Sequence, residues 1–175
     1  MRLLVACLAM LAAAGASAQA IRPQERARLD RYERTAGTAL MEALAAGDAA
    51  DIAALTTALS GTPQVAFDPS LNGEWNCRTM KLGGLTRLTV YTNFKCRMTL
   101  DITGIRFEKL TGSQRTSGRI EMRDGRAVYL GVGYVSSEAP QSYSELAPDF
   151  EGSSTITPDV AVFERVSDTR ARLLF

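Results

Sequence analysis

The spacing of apolar residues changes once along this chain, and that change limits what it can fold into. Before Asn72-Gly73 they recur every three or four positions; after it they recur every second position. Leu29, Tyr32, Ala36, Leu40 and Leu44 form the first stripe, with Arg26, Arg28, Asp30, Arg31, Glu33 and Arg34 mostly on the opposite face. Pro23 suits a first helical position, and Gly47 a C-terminal stop. Asp48 can cap a second helix with the stripe Ile52, Leu55 and Leu59, which Gly61 and Thr62-Pro63 end. The short link predicts an antiparallel helical hairpin over residues 19–61.

From Gly73 onward, Trp75 and Cys77 alternate with Glu74, Asn76 and Arg78. Phe94, Cys96, Met98 and Leu100 alternate with Lys95, Arg97 and Thr99. Ile105, Phe107, Ile120 and Met122 continue the pattern, and Asp124-Gly125 is a two-residue hairpin signal leading to Val128, Leu130, Val132 and Tyr134. Val160, Val162 and the run Ala171 to Phe175 complete seven or eight short strands over residues 62–175. The expected class is α+β, with the hairpin packed on an antiparallel meander that curls into a small barrel, because closure removes exposed edges. Residues 136–158, with three prolines, read as a long surface loop, either a disordered connection or a lid. The chain stops in mid-strand at Leu173-Leu174-Phe175, so Phe175 is expected to be buried or to be followed by a further strand.

Residues 1–18 read as a cleavable secretory signal. Arg2 precedes an apolar run from Leu3 to Ala14, and small residues at Ala16 and Ala18 suit signal peptidase, with a cut after Ala20 as the alternative. Leu4-Val5-Ala6-Cys7 looks like a lipoprotein box, but the apolar core lies mostly after the cysteine. The run is too short for a membrane span, and no later segment approaches one. The expected location is periplasmic or secreted, without membrane insertion. The whole chain carries 20 basic and 19 acidic side chains. Loss of Arg2 leaves 19 against 19, and this neutrality argues against a nucleic-acid partner bound by bulk charge.

The same loss leaves two cysteines, Cys77 and Cys96. In an oxidising compartment they are expected to form a disulfide. With no histidine in the chain, Ser-His-Asp triads and histidine-ligated metals are out, and no phosphate-binding glycine loop precedes a helix. No cofactor, metal or catalytic residue is expected.

The segment Gly73-Glu74-Trp75-Asn76-Cys77-Arg78-Thr79-Met80-Lys81-Leu82-Gly83-Gly84, with Tyr91, Phe94 and Cys96, resembles the core of a bacterial secreted family catalogued as domain of unknown function 4893. The resemblance extends over the helices and strands. It implies export and architecture but no reaction, and it implies that the chain continues past Phe175. Gly73-x-Trp75 is more weakly similar to the opening of lipocalins and of small secreted inhibitors of bacterial metalloproteases.

Between Arg78 and Arg106 stand six cations against one acid, Asp101. If Cys77 and Cys96 face each other across an antiparallel pair, Arg78 faces Lys95 and Asn76 faces Arg97, which gathers cations on the face opposite the disulfide. A tight turn at Gly83-Gly84 would impose another register and dissolve the cluster. Arg78, Lys81, Lys95 and Arg97 are the candidate anion-binding residues; the bland alternative is that each is solvated or internally paired. The expected role is non-enzymatic binding of a small anionic ligand or a protein partner. Inhibition of a secreted protease is the alternative, and an unrecognised hydrolase the third reading.

Overall fold

The computed structural model describes residues 19–84 and 86–175, so the expected signal segment lies outside the described residues. Three helices come first: α1 (Pro23–Asp30), α2 (Tyr32–Ala46) and α3 (Ala49–Leu59). Seven strands follow: β1 (Gly73–Leu82), β2 (Leu88–Asp101), β3 (Gly104–Lys109), β4 (Gln114–Arg123), β5 (Arg126–Val135), β6 (Ile156–Ser167) and β7 (Arg170–Leu174).

The first helix of the expected pair is broken at Arg31 (φ −95°, ψ −4°) into α1 and α2. Its stripe serves two surfaces that one straight helix cannot reach. Leu29 packs with Ile21 on Val128, Leu130 and Val160 of β5 and β6. Leu40 and Ala43 instead join Leu55 and Ile52 of α3 against Met80, Leu82, Leu88 and Val90 of β1 and β2. Ala43 takes the buried place expected of Leu44, which is half exposed. The Asp48 side chain caps α3 by accepting from the Ala50 N–H at 2.8 Å.

Every strand pairs antiparallel with its neighbour in sequence, in the order β1 to β7, and no pairing joins β1 to β7. The sheet is therefore a curled half-barrel, not a closed barrel. The α2–α3 hairpin bridges the open seam. One end rests on Leu88 of β2. At the other, Arg172 of β7 donates to the Leu59 carbonyl at 2.6 Å and Arg170 to the Ser60 carbonyl at 3.0 Å. Cations there satisfy the free carbonyls of a helix C-terminus. The concave face carries the main core: Cys96, Met98, Ile105, Phe107, Ile120, Tyr129, Ala161 and Phe163, plugged from below by Leu71 and Phe67.

The expected register of β1 and β2 is wrong by two residues. Trp75 faces Cys96, Asn76 faces Lys95, Glu74 faces Arg97 and Arg78 faces Asn93. The turn after Leu82 sets this pairing: Gly83 and Gly84 take left-handed φ of 74° and 78°, and the Gly83 N–H meets the Arg87 carbonyl. Cys77 and Cys96 are still disulfide-bonded, as diagonal neighbours with Cα atoms 5.9 Å apart. At the β4–β5 hairpin, Asp124 (φ 49°) and Gly125 (φ 79°) form the turn that the sequence announces.

The long loop before β6 is a pinned structure, which is a correction to the disordered reading. Its Ser142–Glu145 capping box holds a 3₁₀ turn whose Tyr143 is buried. Phe175 is more than half exposed, with its ring edge-on to Tyr129 at 5.9 Å.

Candidate functional site at the mouth of the half-barrel

Alternation along β1 puts Arg78 and Lys81, three positions apart, on opposite faces, and a register step in β2 brings Tyr91 to the side of Lys81. Arg78 pairs with Asn93, but Met80 pairs with Val90, so Thr79 alone opposes Tyr91 and Thr92. Such a bulge flips the faces of β2 beyond it. Arg78, Lys95 and Arg97 stay on the convex face, opposite the disulfide. Lys81 falls on the other side, at the open end of the concave face.

On the convex face, Arg97 pairs with Glu74 at 3.1 Å, Lys95 donates to the Asn76 amide oxygen at 3.1 Å, and Arg78 donates to the Tyr91 carbonyl at 2.7 Å. The structure thus separates Lys81 from the other three candidates. The like-charge facing of Arg78 and Lys95 does not occur.

Lys81 instead reaches across the mouth to β4, donating to Gln114 Oε1 at 3.1 Å, with its ammonium 5.7 Å from the Tyr91 ring centre. Lys109 of β3 donates to the Gln114 carbonyl at 2.6 Å and lies 3.7 Å over the Phe94 ring. Arg115 donates to the Gly112 carbonyl at 3.2 Å. Burial, then the charges of Lys81 and Arg115, push the Lys109 ammonium below the usual lysine value. None of the three has a carboxylate within ion-pair distance among the described residues. The sequence reading missed Lys109, though it occupies an inward position after Ile105 and Phe107, and a lysine continuing an apolar alternation is the available signal.

Residues 18–175 match the family model described as Domain of unknown function (DUF4893). The chain belongs to this family. No curated protein and no solved structure matches it.

Two strand positions further along the same face of β4 from Gln114, this family member carries a buried polar chain. Thr116 Oγ1 donates to Asp159 Oδ2 of β6 at 2.7 Å, and is 2.7 Å from the Tyr129 hydroxyl. Gly118, Gly131 and Gly133 make room: a Cβ on any of them would overlap Tyr129, Asp159 or facing backbone. Burial raises the Asp159 carboxyl above the usual aspartate range, against the hydrogen bond from Thr116, and burial also raises the Tyr129 phenol well above its ordinary value.

Two open grooves, of about 330 and 370 Å³, flank α1 on the outside of the sheet. Neither enters the concave face, whose lower half is filled by side chains. Among the described residues no helix is long and apolar enough to cross a membrane, and no group of three or more metal-ligating side chains converges.

Proposed function

We propose that the protein is an exported, non-enzymatic binding module that takes its ligand or partner at the mouth of the half-barrel. The observation that carries this reading is the meeting of Lys81 and Lys109 on Gln114 without a carboxylate in ion-pair contact among the described residues. Exposed cations brought together in this way create a local attractive field even in a nearly neutral chain. The Cys77–Cys96 bridge is compatible with an oxidising compartment, and Phe175 adds an exposed aromatic ring on the same side of the sheet.

The lysines make the test direct. The chain has three, Lys81, Lys95 and Lys109, two at the mouth and one on the convex face. Protein purified from its own extracytoplasmic compartment is taken intact to native mass spectrometry and labelled at lysine before and after its cargo is stripped. A chain starting at Gln19, with a retained ligand or partner that shields Lys81 and Lys109 but not Lys95, supports the reading. A chain retaining Met1 or a lipidated Cys7 overturns the export assignment. Shielding of Lys95 alone moves the binding surface to the convex face.

A further inference from the structure

We infer that the group bound at the mouth is a multivalent oxyanion, a phosphate or a polycarboxylate, held between Lys81 and Lys109. This rests on the mouth being the binding surface and adds the chemistry of what it binds.

Donor capacity comes first. Each ammonium has three N–H donors, and each lysine commits one of them to Gln114. Arg115, the residue after Gln114 on β4, projects from the other face of the strand and turns its Nε to the Gly112 carbonyl. Uncommitted donors on two ammonium groups therefore meet at one neutral residue, Gln114. A single carboxylate would leave that charge largely uncompensated, whereas a group with two or more negative charges matches it.

The surroundings point the same way. On the convex face three arginines meet acids, Arg97 with Glu74, Arg106 with Glu108 and Arg119 with Asp101, and Lys95 meets the Asn76 amide. At the mouth the residue in contact with both lysines is a glutamine. The nearby acid on the same face, Asp159, is turned to Thr116. The platform is also held in place. A Cβ on Gly112 would lie 2.9 Å from the Phe94 ring, so the β3–β4 turn packs directly on the aromatic surface under Lys109. An anion arriving there meets donors already positioned, which lowers the ordering cost of binding.

The experiment titrates the folded protein, residues 19–175, with inorganic phosphate and with citrate, each against sodium chloride at equal ionic strength. Melting temperature and calorimetric binding are both read. Saturable binding of phosphate or citrate is expected, with a melting temperature that rises with ligand concentration. Lys81→Gln and Lys109→Gln should each weaken the affinity at least tenfold, while Arg78→Gln and Arg97→Gln leave it within about twofold. Calorimetry on whichever variant stays folded keeps the test open if one substitution destabilises the turn. Phosphate binding without citrate narrows the class to phosphate, and the reverse narrows it to polycarboxylates. Shifts equal to those in chloride, or unchanged affinity in both mouth variants, overturn the inference. Loss of binding in Arg78→Gln places the anion on the convex face and overturns it too. A partner that shields Lys81 and Lys109 without any anion dependence would leave the mouth as the binding surface and remove only this inference.

Discussion

Arg22 grips Glu25 with two nitrogens, Nε on Oε2 at 2.7 Å and Nη2 on Oε1 at 3.1 Å, and both residues are buried. The Tyr143 hydroxyl donates to the same Glu25 oxygen at 2.7 Å, and Arg22 Nη1 donates to the Ala147 carbonyl at 2.7 Å. The pair therefore fastens the long loop to the start of α1. Burial works to raise the Glu25 carboxyl, but the hydrogen bonds from Arg22 and Tyr143 and the nearby arginine charges outweigh it, and the net shift is downward. A lowered carboxyl stabilises the fold above the ordinary glutamate value and loses that contribution as pH falls through the folded value. Glu25→Gln leaves the Arg22 charge uncompensated and should cost about 3–5 kcal/mol in urea denaturation. Tyr143→Phe should cost about 1.5–3 kcal/mol, because it removes a hydrogen bond to a charged group. Limited proteolysis should cut between residues 146 and 155 first in both variants.

Asp159 has the opposite sign. Its raised carboxyl means that the folded protein binds a proton more readily than the unfolded chain. Its contribution is fully present below the ordinary aspartate value and is lost as pH rises through the folded value. Asp159→Asn keeps an acceptor for Thr116 and removes the buried charge. It should raise stability at pH 7 by on the order of 1 kcal/mol, or roughly 2–4 °C in Tm, and change little near pH 3. A variant less stable than wild type at pH 7 would show that the ionised carboxylate is needed where it stands.

Cys77 and Cys96 cross-link adjacent strands at a sequence separation of 19. Cys96→Ser should cost about 2–4 kcal/mol, chiefly by releasing the unfolded chain. Reductant should lower the stability of wild type to a similar degree and leave the variant unchanged. Non-reducing mass spectrometry of peptides bearing the two cysteines checks the linkage itself.

The strands are legible because their inward residues repeat at two, from Cys96 and Met98 to Ile105 and Ile120, and because Asp124-Gly125 can make one kind of turn well. The break at Arg31 was not legible. Leu29 and Leu40 fit one helical stripe, and only the tertiary fold sends them to different faces of the sheet. The register was misjudged for a related reason. A disulfide between facing residues would set Cys77 opposite Cys96, whereas Cys96 faces Trp75 and meets Cys77 on the diagonal. Arg78 and Lys81 fall on opposite faces of β1 by alternation alone, whereas the extra residue of β2 at Tyr91-Thr92, which sets Tyr91 beside Lys81, leaves no mark in the sequence. Asp159 stands between the polar segment 136–158 and the strand signal at Val160, and its place beside Thr157, Ala161 and Phe163 on the inward face of β6 shows only in the pairing.

Tyr129 lies over its own strand, and that placement leaves no room for a side chain at Gly131. A Cβ at Gly131 would overlap the Tyr129 hydroxyl and the ring carbon that bears it. The ring cannot retreat freely: its hydroxyl is fixed to Thr116, and its edge meets Phe107 at 5.9 Å. Gly131→Ala should therefore cost about 1–3 kcal/mol as overpacking, despite the better strand propensity of alanine. Tyr129→Leu should itself cost a comparable amount by leaving Thr116 and Asp159 without their aromatic cover. If the clash is the cause, the double variant loses less than the sum of the single ones, with an interaction energy of about 0.5–3 kcal/mol. Strict additivity in urea denaturation would mean that Gly131 is there for its backbone and that the Tyr129 ring is not what requires it.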